Sequence, residues 1–295
     1  MSISTVRRFG VVGAGQMGRG IAQVAAAAGF EVILTDVSLA FAEGGKNKIA
    51  QALAKQVDKG KMKPEDRTAL LDRIETREGL AELSRADIAV EAITENLDVK
   101  LRTFREADAA LPKDAILASN TSSISITRLA ASTSRPDRVI GMHFMNPVPL
   151  MKLIEVVRGI QTSDATFDLV RDLSLKLGKT VIVSRDRPGF IVNRMLIPFL
   201  NEACFTLQEG VGTAEDIDAG ARLGLNHPMG PLELADLIGL DTVLAIAEVL
   251  HRDIGDDKYR PASILRNLVA AGWLGKKTKR GFYAYDDKGQ KIIRT

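Results

Sequence analysis

Phe9-Gly-Val-Val-Gly-Ala-Gly-Gln-Met-Gly18 is the stretch of sequence that decides the fold. It joins a short β-rich run, Phe9–Val12, to a G-x-G-x-x-G motif, and an alanine-rich helical pattern, Met17–Ala28, follows directly. The glycine motif alone is a weak signal, but a strand before it and a helix after it are the context in which it binds a dinucleotide. The stretch therefore predicts a βαβ unit with a phosphate-binding turn.

Each glycine of this motif has its own predicted role. Gly13 permits the tight turn after the strand, Gly15 leaves room for a pyrophosphate, and Gly18 lets the helix pack close to the sheet. The N-terminus of the helix offers backbone N–H groups and the positive end of its dipole to phosphate oxygens. We therefore place Gln16 and Met17 with the three glycines in the predicted cofactor site.

Asp36 closes the second β-rich run, Glu31–Asp36, 18 residues after Gly18. A carboxylate at this position accepts hydrogen bonds from both ribose hydroxyls of an adenosine and repels a 2′-phosphate, so NAD is predicted over NADP. The alternative is a glycine turn and an Asp that caps the next segment. The strand, the glycine motif, the helix and the acid follow one another at the spacing of a dinucleotide site, which favours cofactor binding.

Further along the chain, short apolar runs alternate with helical patterns. Asp87–Ala92, Ala115–Ser119 and Val139–His143 are typical of buried parallel strands. Residues 39–72 interrupt this rhythm, because they contain no strand-like run and indicate one or two polar helices that break near Lys63-Pro64. The pattern predicts an α/β fold, a Rossmann-like doubly wound sheet from which a helical hairpin projects.

The character of the chain changes at Pro188-Gly189. Residues 190–272 have helical periodicity and almost no strand signal, which indicates a helical bundle. We therefore predict two domains, residues 1–187 and residues 188–295, with an all-α second domain.

Composition excludes several classes of protein. The 295 residues are 45% apolar with a formal net charge of +3, which argues against disorder and against a nucleic-acid surface. One cysteine, Cys204, and three scattered histidines, His143, His227 and His251, form no disulfide and no pattern of metal ligands. The sequence has no long apolar stretch and no signal-peptide pattern at its start, so we expect no membrane partner and a cytoplasmic location.

Several separated motifs carry a family resemblance. They are Ser119-Asn-Thr-Ser-Ser123, His143-Phe-Met-Asn-Pro147, Glu155, Pro188-Gly-Phe-Ile-Val-Asn-Arg194, His227-Pro-Met-Gly-Pro231 and Gly281-Phe-Tyr-Ala-Tyr285. In this order and spacing the chain resembles the 3-hydroxyacyl-CoA dehydrogenase family over essentially its whole length. One departure is Lys279, where many relatives have glycine, and it puts the local conformation of the basic C-terminal turn in question.

The resemblance implies an NAD-dependent oxidoreductase that interconverts (3S)-3-hydroxyacyl-CoA and 3-oxoacyl-CoA, with 3-hydroxybutyryl-CoA as the expected substrate. It implies that the helical domain forms a homodimer and that the acyl-CoA is held between the two domains. His143 and Glu155 match the catalytic His-Glu pair of the family, while Ser122 and Asn193 match the polar residues around the reacting oxygen.

The resemblance also extends to binding residues. Asn120, Glu95 and Lys100 match cofactor-contacting positions of the family. Family members use the helical excursion for the coenzyme A moiety, which makes Lys55 and Lys59 the candidate phosphate-binding residues. These lysines are four apart and share a helix face, although charged helix faces are more often simply solvated.

The residues around His143 support the predicted chemistry independently. His143 ends a predicted strand at the carboxyl edge of the sheet, and the turn Asn146–Pro149 should bring Leu153–Val157 back beside it. Glu155 lies in that apolar run, where an unpaired carboxylate is costly, so it needs a partner such as an imidazole. A lone histidine at a strand end is more often structural, and the nearby acid is what favours a general base.

Alternatives stay open for the other residues and for the substrate. By pattern alone, Ser122 is more consistent with a helix cap than with a substrate contact, whereas Asn193 is equally consistent with both. A free 3-hydroxy acid or a sugar acid such as L-gulonate would use the same His-Glu pair without a CoA-binding face. A protein that binds NAD without turnover is the alternative from another class.

Overall fold

The computed structural model describes residues 3–292. These residues divide into two compact units, with the boundary between Arg187 and Pro188. The first unit contains one eight-stranded sheet within the described residues. Its strands are β1 Arg8–Val12, β2 Glu31–Asp36, β3 Ile74–Glu78, β4 Ile88–Glu91, β5 Ile116–Ser119, β6 Val139–Phe144, β7 Leu153–Arg158 and β8 Thr180–Arg185.

The strand order is β3-β2-β1-β4-β5-β6-β7-β8, and the first six strands are parallel. This is the 3-2-1-4-5-6 order of dinucleotide-binding sheets, in which the order reverses beside β1. β7 runs antiparallel to β6, and β8 runs parallel to β7. The predicted Rossmann-like fold is confirmed.

The sequence analysis did not predict two of the strands, β3 and β8. β3 reads Ile-Glu-Thr-Arg-Glu and β8 reads Thr-Val-Ile-Val-Ser-Arg, and both lie at an edge of the sheet. An edge strand buries fewer side chains than a central one. β3 accordingly has no continuous apolar run, and the three apolar residues of β8 lie between polar ones and are half-buried or exposed.

Helices cover both faces of the sheet. In the first unit they are α1 Gln16–Ala27, α2 Leu39–Asp58, α3 Pro64–Asp72, α4 Leu97–Ala110, α5 Ile126–Ala130 and α6 Asp164–Lys176. α2 and α3 form the predicted hairpin and break at Lys63-Pro64, with Pro64 as the first helical residue. The hairpin lies closer to the sheet than predicted, because Ile49 and Leu53 of α2 are buried in the core of the unit.

The second unit is helical, as the periodicity predicts. Its helices are α7 Val192–Gln208, α8 Ala214–Ala219, α9 Pro231–Ile238, α10 Leu240–Ile254 and α11 Ser263–Ala270. Leu200, Leu232, Leu250 and Leu265 belong to an apolar core that is separate from the core of the sheet. Within residues 3–292, no helix is long and apolar enough to cross a bilayer.

Candidate active site

The glycine motif lies between β1 and α1, where it was predicted, and its geometry explains each glycine. Gly13 has φ of +100°, and a Cβ there would lie 2.7 Å from the carbonyl oxygen of Ala92. A Cβ on Gly18 would lie 1.7 Å from the carbonyl oxygen of Gly13, whereas a Cβ on Gly15 would meet nothing within 4 Å. Gly13 and Gly18 therefore shape the turn, and Gly15 leaves open space above it.

This open space fits the pyrophosphate of a dinucleotide. α1 begins at Gln16 immediately after Gly15, and no side chain caps its N-terminus. The first amides of the helix and the positive end of its dipole are suited to phosphate oxygens. Gln16 is exposed and Met17 is half-buried at this end of the helix. The residues present therefore fit the cofactor that the motif predicts.

The Asp36 carboxylate is fixed at the end of β2 beside this turn. Its Oδ2 accepts a hydrogen bond from the amide of Ala14 at 2.7 Å, and its Oδ1 accepts one from the amide of Val37 at 2.7 Å. Both donors are main-chain amides, and together they fix the orientation of the Asp36 carboxylate. Such an anion suits ribose hydroxyls and opposes a 2′-phosphate.

Glu95 accepts several hydrogen bonds from the loop that follows β5. Its Oε1 accepts hydrogen bonds from the Oγ1 of Thr121 at 2.5 Å, the amide of Ser122 at 2.8 Å and the Oγ of Ser122 at 3.2 Å. Burial acts to raise the pKa of Glu95, but the charge of Lys100 and these hydrogen bonds outweigh it and hold the pKa below its usual value. Glu95 is thus a stable anion that organises the loop.

Lys100 is buried beneath this loop. Only 1% of its side chain is exposed, and its Nζ lies 2.5 Å from the Oε1 of Glu91 and 3.4 Å from the Oε2 of Glu95. Lys100 therefore reaches the predicted cofactor site through Glu95.

Sequence reasoning missed Glu91, the buried partner of Lys100. Its Oε2 also accepts a hydrogen bond from the Oγ of Ser119 at 2.7 Å. The signal was present, because Glu91 stands in an apolar run just as Glu155 does, and a buried acid needs a partner.

Asn120 and Ser122 lie at the carboxyl end of β5, as the loop motif implies. The Oδ1 of Asn120 accepts a hydrogen bond from the amide of Phe144 at 2.9 Å, which ties this loop to the end of β6. The residue that caps α5 is Ser125, whose side chain accepts a hydrogen bond from the amide of Arg128. Ser122 is therefore not the cap of that helix.

His143 and Glu155 meet across β6 and β7. They are directly paired in the antiparallel register, so their side chains lie on the same face of the sheet. The Nδ1 of His143 lies 2.7 Å from the Oε2 of Glu155, and the two side chains are 9% and 0% exposed. The turn and the returning strand that the sequence predicts bring this pair together.

The structure places the remaining predicted residues, Lys55, Lys59 and Asn193, in helices or directly after one. Lys55 is exposed near the end of α2, and Lys59 is the exposed residue that follows that helix. Asn193 is buried in the first turn of α7, in the second unit, where Ile191 is the capping residue. Asn193 is thus inside the helix and is not its cap.

The two remaining histidines and the cysteine have structural surroundings. The ring of His227 stacks on Phe199 with centroids 4.8 Å apart, and the Nε2 of His251 lies 3.3 Å from the Oδ1 of Asp257. Cys204 is buried, and burial, assisted by the charge of Asp236, raises the pKa of its thiol to about 12. These surroundings give none of the three a nucleophilic or basic role.

The turn, the Asp36 carboxylate and the sheet order define an NAD-dependent oxidoreductase. Residues 8–187 match the NAD binding domain of 3-hydroxyacyl-CoA dehydrogenase, and residues 189–285 match the C-terminal domain of the same enzyme family. The chain belongs to the 3-hydroxyacyl-CoA dehydrogenase family.

Individual relatives resemble the chain over nearly its full length. A 3-hydroxybutyryl-CoA dehydrogenase of Bradyrhizobium diazoefficiens is 54% identical over 292 residues, which are 99% of each chain. The mitochondrial hydroxyacyl-coenzyme A dehydrogenase of Homo sapiens is 43% identical and aligns over 95% of this chain and 91% of its own. The crystal structure of (S)-3-hydroxybutyryl-CoA dehydrogenase from Ralstonia eutropha superposes with a TM-score of 0.93 at 50% identity, covering 96% of this chain and 100% of that one.

Proposed function

We propose that the chain interconverts (3S)-3-hydroxybutyryl-CoA and acetoacetyl-CoA, with His143 as the group that moves the hydroxyl proton. The observation that carries the proposal is the 2.7 Å contact between the Nδ1 of His143 and the Oε2 of Glu155 at the carboxyl end of β6. Doubly wound sheets bind their ligands at this edge. The relatives named 3-hydroxybutyryl-CoA dehydrogenase support the choice of substrate.

The His-Glu contact determines which imidazole nitrogen does the chemistry. A carboxylate acceptor beside Nδ1 favours the tautomer that is protonated there, so Nε2 carries the lone pair that accepts a proton. Glu155 also stabilises the imidazolium that forms when His143 takes the hydroxyl proton. In the reverse direction the same imidazolium returns the proton to the oxygen of the 3-oxo group.

The first unit supplies the residues that would hold the cofactor. The turn Gly13–Gly18 with the N-terminus of α1 would hold the pyrophosphate, and Asp36 would hold the adenosine ribose. When bound, NAD⁺ accepts the hydride from the carbon that bears the hydroxyl. Asn120 and Glu95 would order the loop beside the nicotinamide, with Lys100 holding Glu95 from below.

The remaining roles rest on the family match. We assign Ser122 and Asn193 as hydrogen-bonding partners of the substrate, since neither caps its neighbouring helix. We assign Lys55 and Lys59 to the phosphates of coenzyme A, because both are exposed, Lys55 in the last turn of α2 and Lys59 directly after it.

A rate comparison tests the substrate assignment. NADH oxidation is measured with acetoacetyl-CoA and with free acetoacetate, and the CoA thioester should be turned over far faster. Preference for the free acid would support the alternative of a free 3-hydroxy acid or sugar acid as substrate. Tight NADH binding without turnover on any 3-oxo compound would indicate a protein that binds NAD without catalysis.

A charge reversal tests the coenzyme A site, and NADPH tests the cofactor preference. Replacing Lys55 and Lys59 by Glu should raise the KM for acetoacetyl-CoA, while Lys48→Glu, an exposed lysine earlier on α2, serves as the control. An unchanged KM would remove these lysines from the site. Rates with NADPH should be much lower than with NADH because of Asp36.

We also propose that the second unit forms a homodimer. Met195, Leu223, Leu225 and Leu237 are large apolar side chains that are at least half exposed in a single chain, and exposed apolar patches mark interaction surfaces. Light scattering coupled to size exclusion should give twice the chain mass of 31.9 kDa, and a monomer would contradict the proposal. The cytoplasmic location stays a prediction.

A further inference from the structure

Lys179 is a buried cation that the reaction as described does not use. Only 7% of this residue is exposed, although it lies just before the edge strand β8. Its Nζ donates hydrogen bonds to the carbonyl oxygens of Val148 at 2.5 Å and of Met151 at 2.7 Å. Burial lowers its pKa. A buried ammonium is costly, so its position calls for an explanation.

Both acceptors of Lys179 lie in one loop, residues 145–152, which connects β6 to β7. His143 stands one residue before the end of β6, and Glu155 stands two residues after the start of β7. The loop therefore joins the two strands whose register brings the imidazole to the carboxylate. Lys179 fixes the loop at two points, and the amide of the next residue, Thr180, adds a third bond to the carbonyl of Lys152 at 2.7 Å.

The same loop contacts the cofactor helix α1. The Nε2 of Gln16 donates a hydrogen bond to the Oδ1 of Asn146 at 2.9 Å. One turn later Gly20 faces Val148 so closely that a Cβ on this glycine would lie 2.8 Å from the Cβ of Val148. The loop is thus held by contacts with α1 as well as by Lys179.

We propose that Lys179 is a positioning residue for catalysis, which holds the 145–152 loop so that the His143–Glu155 pair keeps its place relative to α1. The inference rests on the proposed function, because it gives Lys179 no role apart from that pair. An ammonium group suits this task, since one Nζ donates hydrogen bonds to two carbonyl oxygens of a loop that lies outside the sheet ladder. Catalytic groups tolerate little misplacement, and a shift of about 1 Å costs on the order of 10²-fold in rate.

The test replaces Lys179 by Met, which keeps an unbranched stem of similar length but lacks the terminal ammonium group and its donors. We expect kcat with acetoacetyl-CoA to fall on the order of 10- to 100-fold, while the Kd for NADH stays within about twofold. Lys179→Arg retains a cationic donor and should recover part of the loss. Lys176→Met is the matched control, because Lys176 is an exposed lysine on the preceding helix α6 whose Nζ stacks 4.3 Å from the ring centroid of Phe30.

The outcomes separate positioning from mere stability. A purely structural lysine would lower the Tm of Lys179→Met and leave kcat unchanged at 25 °C, and this result would overturn the proposal. If Lys179→Met does not fold, Gly20→Ala offers a second way to displace the loop, because the added Cβ would lie 2.8 Å from the Cβ of Val148. A lower kcat with unchanged NADH affinity in Gly20→Ala would support the proposal, and full activity would refute it.

Failure of the proposed function is recognised separately. His143→Gln removes the proton acceptor directly, so an active His143→Gln enzyme would refute the function whatever Lys179 does. An inactive His143→Gln enzyme beside a fully active Lys179→Met enzyme would refute only the positioning role.

Discussion

Glu155 in the first unit and Asp236 in the second are both carboxylates with at most 1% exposure, yet their surroundings differ in kind. Glu155 contacts the imidazole of His143, the type of side chain that most often transfers protons in enzymes. Asp236 meets the amides of Phe282 and Tyr283 at 3.0 Å and the hydroxyl of Tyr285 at 2.8 Å, none of which exchanges its proton near neutral pH. The partner of a buried carboxylate therefore indicates whether the carboxylate belongs to a candidate reactive site or stabilises the fold.

The Asp236 site is also closed to ligands. A Cβ on Gly281 would lie 1.9 Å from the Oδ1 of Asp236, and a Cβ on Gly275 would lie 2.2 Å from its main-chain oxygen. Burial and the carboxylate of Asp236 raise the pKa of Tyr285, which keeps this phenol protonated as a donor. Asp236 thus fastens the C-terminal segment to α9, whereas Glu155 contacts an imidazole on the neighbouring strand.

The largest effect should come from Glu155→Gln. The substitution keeps the shape of the side chain but removes the charge that stabilises a protonated His143, and we expect kcat to fall on the order of 10²- to 10⁴-fold. Steady-state rates with acetoacetyl-CoA and NADH measure it. If kcat fell by less than about threefold, Glu155 would have a structural role like that of Asp236, and the contrast between the two acids would be wrong.

Asp236→Asn should act on stability and spare catalysis. An amide replaces one acceptor oxygen with a donor that faces main-chain N–H groups, so the free energy of unfolding should fall by about 2–3 kcal/mol. Urea unfolding measures this change, and kcat at 25 °C should stay within about twofold of the wild type. A large loss of kcat in a stably folded Asp236→Asn enzyme would contradict the assignment.

The pH dependence of stability should have opposite signs for Asp236 and Glu95. Burial raises the pKa of Asp236 above the ordinary 3.8, so the folded state takes up protons first and this group stabilises the fold as the pH falls toward 4. The pKa of Glu95 is below the ordinary 4.5, so its contribution is complete above that value and is lost as the pH falls.

Two urea series between pH 7 and pH 4 check these signs. The stability gap between wild type and Asp236→Asn should widen as the pH falls, and the gap between wild type and Glu95→Gln should narrow. If the stability gap changed with pH in the same way for both variants, the pKa values of the two acids would be shifted in the same direction, which would contradict this prediction.

The smallest effect should come from Lys279. This residue has φ of +59° in the basic turn, and its Nζ pairs with the largely exposed Asp287. Lys279→Gly should stabilise the fold by about 0.5–1 kcal/mol, because glycine adopts this conformation without strain and the surface ion pair contributes little. Lys279→Ala keeps the strained conformation and should bring no gain, and thermal unfolding of both variants measures the difference.

The strand boundaries and the His-Glu pair could be predicted because their signals are local. Glu31–Asp36 was predicted at its observed bounds, and the reversal after Asn146 brought Glu155 opposite His143 as expected. Alternation of apolar runs with turns, together with the cost of burying a lone carboxylate, is sufficient for such inferences.

What the sequence did not reveal depends on contacts across the fold. Lys100 was predicted to contact the cofactor, but it lies buried against Glu91, and Lys179 resembles an ordinary surface lysine by sequence. A long aliphatic stem lets lysine be either exposed or buried, so its neighbours in sequence do not determine which one occurs. The contacts of Lys100 and Lys179 therefore became visible only in the three-dimensional arrangement.

Single-turnover kinetics of His143→Gln test the central claim most directly. The variant is mixed with acetoacetyl-CoA and saturating NADH, and the loss of NADH absorbance is followed beside a titration of its NADH affinity. The His-Glu mechanism predicts that NADH oxidation slows by about 10²-fold or more while the Kd for NADH stays near that of the wild type. Wild-type rates of NADH oxidation in this variant would contradict it.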